Sequence, residues 1–126
     1  MARRGIDDAR GFAAVRAVLD EADASREELA TAVRYLLQLL AEKAPGHTVE
    51  VRVPPFGAVQ AVEGPRHTRG TPPNVIETDA ATWVALATGR MPWSDAVDAA
   101  RISASGTRAT LEGLVPVLPL SFGLGE

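Results

Sequence analysis

The amino-acid sequence predicts an α+β fold, and three observations predict it. Between residues 7 and 40 the apolar residues recur at helical spacing, residues 48–53 alternate strictly between apolar and polar, and between 78 and 118 the period changes three times at marked boundaries. Together these patterns predict two leading helices, a mostly antiparallel sheet of four or five strands, and C-terminal helices packed on one sheet face. With 126 residues, 46% of them apolar, the chain suits one domain that buries about two-thirds of the surface its unfolded form exposes. We divide that domain into a helical part (1–46), a sheet with C-terminal helices (47–118) and a tail (119–126).

Residues 7–24 read as a helix with Phe12, Val15, Val18, Leu19 and Ala22 on one side. A longer helix follows Ser25, which has capping-box spacing to Glu28. Its stripe of Leu29, Val33, Leu36, Leu37 and Leu40 is wide enough to cover a sheet face, and Pro45-Gly46 ends it. In 48–53, Val49, Val51 and Val53 face the core while Glu50 and Arg52 face water. After Pro54-Pro55, residues 56–63 form a second strand, in which Ala58, Val59, Ala61 and Val62 indicate that both faces are covered. A third strand is expected at 74–78.

The segment 79–89 starts with an N-cap aspartate, places Trp83, Leu86 and Ala87 on one helical face, and stops at Gly89, suited to the left-handed position past a helix end. Pro92 suits the first turn of another helix, with Trp93, Ala96, Val97 and Ala100 at helical spacing. Residues 101–105 alternate like a strand, Gly106 breaks it, and 107–118 returns to helical spacing through Leu111, Leu114, Val115 and Leu118. Pro116 and Pro119 predict that this last helix breaks into an extended apolar tail over 114–120.

In their order and spacing, Asp79, Trp83, Leu86, Gly89, Ala96, Ala100, Ile102, Ser105, Gly106 and Leu114 resemble the C-terminal half of the sterol carrier protein family. The segments 51–60 and 64–74 add a likeness to small bacterial relatives of that family. The resemblance implies a sterol-carrier-like fold in which sheet and helices enclose an apolar cavity, with the last helix as its wall or lid. It also implies non-catalytic carriage of a hydrophobic or amphiphilic molecule of lipid or acyl type, and the family name is not read as the ligand, since most bacteria make little sterol. The residues expected to line the cavity are Phe56, Trp83, Leu86, Trp93 and Val97, joined from the C-terminal part by Leu111, Leu114, Val115 and Leu118. Residue by residue, an apolar side chain at helical spacing is more often core than pocket lining.

A second candidate comes from the residues themselves. The loop 64–74 is rich in turn formers and holds Arg66, His67 and Arg69, a set suited to clamping a carboxylate or phosphate head group, because guanidinium binds such groups through a two-pronged fork. The competing reading is a solvated loop whose arginines pair with Glu63 and Glu77, contributing little.

Other classes are disfavoured. The absence of cysteine excludes disulfides, thiolate zinc sites and cysteine nucleophiles. His47 and His67 lack the spacing of a metal pair, and Asp95 and Asp98 read as a solvated helix face. Ser105, His67 and Asp79 make a catalytic triad only on paper, so we expect no catalytic residues, no metal and no cofactor. A net charge of −3 does not favour nucleic acid. No window reaches the ~20 apolar residues of a membrane helix, and a soluble cytoplasmic protein is expected, with no stable membrane insertion. The resemblance leaves two further roles open. One is an accessory substrate- or thiol-binding domain serving a separate partner enzyme of the mycothiol-dependent isomerase type, for whose metal-binding bundle this chain is expected to have no room. The other is a structural domain that forms a homodimer.

Overall fold

Asp7 opens the first helix: its carboxylate accepts from the Arg10 N–H at 2.8 Å, and α1 runs Asp8–Asp20. These elements come from a computed structural model that describes residues 5–20, 23–64 and 74–119. The described helix runs as far as Asp20, Asp23 and Ala24 are not helical, and the expected Ala22 lies outside the described residues.

Helix α2 (Arg26–Lys43) starts with the reciprocal cap its sequence predicts. The Glu28 N–H donates to Ser25 Oγ at 3.0 Å, and the Ser25 N–H donates to Glu28 Oε1 at 2.9 Å, so two amides without helical partners are satisfied. Val33, Leu36, Leu37 and Leu40 are buried as the stripe requires. Tyr35 is buried too, and it faces α1. Its ring meets Phe12 edge-on at 5.7 Å, its hydroxyl donates to Asp8 at 2.6 Å, and Gly11 lies so close that a β-carbon there would stand 2.3 Å from the ring. Burial, reinforced by the bond to Asp8, holds the phenol well above the ordinary tyrosine range.

The sheet consists of β1 (Val49–Val53), β2 (Gly57–Ala61), β3 (Asn74–Thr78) and β4 (Ile102–Ser105) in the order β2-β1-β3-β4. Two pairings, β1 with β2 and β3 with β4, are antiparallel, while β1 and β3 run parallel. Val51 stands opposite Val59 on one side and Ile76 on the other, and Val49, Val51, Val53 and Ile76 are at most 1% exposed. This inner face packs with α2 and α3 (Ala80–Thr88) around Leu36, Leu37 and Trp83. The outer face carries Glu50, Arg52 and Glu77, with Arg52 Nε donating to Glu50 at 2.9 Å.

Two expectations are corrected here. The second strand spans only 57–61, and Ala58 and Gln60 are exposed, so one of its faces is open. Their partners across the ladder are Arg52 and Glu50 on the polar outer face, and the small alanine side chain demands no cover there. The helix expected over 107–118 does not form. A single turn is closed by the Leu114 and Val115 amides on the Leu111 carbonyl, Gly113 has φ +85, and the chain then bends at Val117 and Leu118 without regular structure. Proline 116 has no amide to continue the ladder and its ring obstructs the preceding turn. The sequence-predicted break therefore occurs, but before any helix has developed. What the segment does instead is dock: the Val117 and Leu118 amides donate to the Ala87 carbonyl at 2.9 and 3.0 Å, and Leu111 and Leu118 enter the core.

Candidate functional site

Helix α3 is capped as its sequence indicates, Asp79 accepting from the Thr82 N–H at 2.8 Å and Gly89 closing it in the left-handed conformation. The Arg90 and Met91 amides both turn back onto the Ala85 carbonyl, which reverses the chain sharply into α4 (Trp93–Asp98). Pro92 is the N-cap of α4 rather than a first-turn residue. This reversal leaves a gap beside the docked C-terminal segment.

The gap is a cleft of about 390 Å³. Leu86 and Gly89 form its floor at the end of α3, and Met91, Pro92, Trp93 and Ser94 form one side. The other side is Glu112, Gly113, Val115 and Pro116. Leu86 is only 1% exposed yet stands apart from the contiguous core cluster, so its burial comes from this end of the molecule. From behind, Lys43 at the end of α2 donates to the Leu114 and Pro116 carbonyls at 2.8 and 3.3 Å, tying the segment that makes the second wall.

Of the nine apolar residues predicted to share a pocket, the cleft gathers Leu86, Trp93 and Val115. Trp83 lies wholly in the core, its Nε1–H donating to the Val33 carbonyl at 3.3 Å. Leu111 and Leu118 are core residues, and Leu114 packs half-buried against them. Phe56 is buried in the turn between β1 and β2, with the Arg26 guanidinium 5.3 Å over its ring. Val97 is 50% exposed on α4. Among the described residues, these side chains therefore divide between the core and a surface cleft, apart from Val97, which lies in neither. Arg66, His67 and Arg69 fall in 65–73, outside the described residues. Of the paper triad, Asp79 is engaged as a helix cap and Ser105 is exposed on β4.

Sequence reasoning missed Met91 and Glu112. A methionine in a four-residue connector between two predicted helices was a usable signal, since a linker needs no apolar side chain unless it covers something. Glu112 offered none, because its place depends on the turn at Gly113. No described helix is long and apolar enough to cross a membrane.

None of the curated proteins compared matches the chain. The family described as bacterial SCP ortholog matches residues 25–117, which takes in α2, the whole sheet, both later helices and the wall of the cleft, and leaves α1 outside. An α+β fold with a four-stranded sheet agrees with that match, and the chain belongs to the bacterial SCP ortholog family, a sterol carrier protein-like group.

Proposed function

We propose that the protein binds and carries a hydrophobic or amphiphilic small molecule of lipid or acyl type, without catalysis, and that the cleft between the end of α3 and the C-terminal segment is where it binds. The observation that carries this reading is the convergence of Leu86, Met91, Trp93 and Val115 on one concave site in a chain of a carrier family. Its volume of about 390 Å³ falls within the range of small-molecule sites. Affinity comes mainly from apolar burial, roughly 25 cal/mol per Å², and walls of this composition supply it.

Native mass spectrometry of protein from its own host, with organic extraction of whatever is bound, tests the reading directly. A stoichiometric lipid or acyl molecule is expected. Titration with a fluorescent fatty acid then tests the place: Met91→Trp, which fills the cleft, should weaken binding about tenfold, equivalent to about 1.4 kcal/mol. Binding unaffected by that substitution would remove the cleft from the proposal. A clean apo-protein that binds neither this probe nor a neutral alkanol of similar length would overturn carriage, in favour of an accessory domain for a partner enzyme or a dimerising structural domain.

A further inference from the structure

We infer that the cleft selects an amphiphile with a positively charged head group, held by Glu112 and Trp93; this rests on the reading of the cleft as a ligand site. Among the residues lining the cleft, Glu112 is the one that carries a formal charge, and none is cationic. Its backbone N–H is taken by Thr110 Oγ1 at 3.1 Å, while no Arg or Lys among the described residues pairs with its carboxylate. Lys43, the cation that does touch this segment, donates instead to two carbonyl oxygens.

The surroundings favour positive charge on two independent grounds. A carboxylate or phosphate placed here meets a like charge, whereas an ammonium gains one of opposite sign. Trp93 lines the same site, and an indole attracts a cation through its ring quadrupole. Leu86, Met91 and Val115 supply the apolar wall for the tail. The ligand class is thus an alkylammonium, primary or quaternary, and it differs from the anionic head group that an Arg66, His67 and Arg69 clamp would take.

Calorimetric titration with dodecyltrimethylammonium, dodecanol and dodecanoate, which share one tail and are kept below micellar concentrations, tests this. The ammonium should bind about tenfold tighter than the carboxylate, the combined scale of a cation–π contact and an exposed ion pair. Glu112→Gln should abolish that preference and leave dodecanol unchanged. Asp20→Asn, a change of the same charge on exposed α1, should leave the preference intact and so exclude general attraction to an acidic protein. Equal or tighter binding of dodecanoate overturns the inference, and its loss in the Arg66→Ala, Arg69→Ala double variant would move the head group to that loop while carriage stands. Failure of all the probes to bind defeats carriage itself.

Discussion

Helix α2 and the segment 107–118 carry the same kind of sequence signal, apolar residues at helical spacing, yet only one of them is a helix. In α2 the spacing is joined to a reciprocal cap at Ser25 and Glu28, and no glycine or proline interrupts eighteen residues. In 107–118 the spacing meets Gly113 in a left-handed conformation and Pro116 three residues later. Periodicity states which side chains want burial; backbone chemistry decides whether a helix delivers them. The C-terminal segment still buries Leu111 and Leu118, using two amides on the Ala87 carbonyl and the Lys43 ammonium on two others in place of helical bonds.

The contrast can be broken first at the side chains. Leu36→Ala in α2 should cost about 3 kcal/mol in urea unfolding, because it opens a cavity in the sheet-facing core. Leu114→Ala, half-buried in the segment, should cost less than about 1.5 kcal/mol as a partly exposed site that relaxes into solvent. Equal losses would mean that the segment is as much a part of the core as α2.

Next in size is Gly11→Ala, expected to cost about 2 kcal/mol by overpacking, since the new methyl meets the Tyr35 ring. A stable variant with α1 hydrogen exchange unchanged would show that α1 docks loosely on α2. Smaller again are the backbone terms, each about 1 kcal/mol by the same measurement. Ser25→Ala removes the cap of α2. Gly113→Ala finds no heavy atom within 4 Å of its new methyl, so any loss there is purely conformational. A more helical, equally stable Gly113→Ala protein would show that Gly113 is what breaks the last helix, whereas unchanged helicity would leave that role to Pro116.

Tyr35 adds a pH dependence to the attachment of α1. Its phenol titrates higher in the folded than in the unfolded chain, where the ordinary value is 10.0, so the stability it contributes is fully present below about pH 10 and is lost as pH rises beyond it. Stability measured from pH 8 to 11 should fall more steeply in the native protein than in Tyr35→Phe. Parallel curves would sink this account of how α1 is held to α2.

Much of the fold was legible in the residues. The caps at Ser25, Asp79 and Gly89, the alternation of Val49, Val51 and Val53, and the strand at 102–105 all depend on neighbours within a few positions. The candidate cleft was legible only in part. Leu86, Trp93 and Val115 were among the residues named, but the same pattern also named Trp83, Leu111 and Leu118, which are core. Spacing cannot separate an apolar side chain that packs against its own chain from one that lines a gap, since both avoid water for the same reason.

The sequence by itself determined the class of fold, the order of its elements as far as β4 and the capped ends of α2 and α3, because capping, alternation and proline chemistry act locally. Tertiary structure alone decided that β1 and β3 run parallel at the centre of the sheet, that Phe56 and Trp83 are packed inside, and that Glu112 lines one cleft with Leu86, Trp93 and Val115. Those outcomes depend on where residues distant along the chain meet, as when Lys43 reaches the carbonyls of Leu114 and Pro116, and no local pattern encodes that meeting.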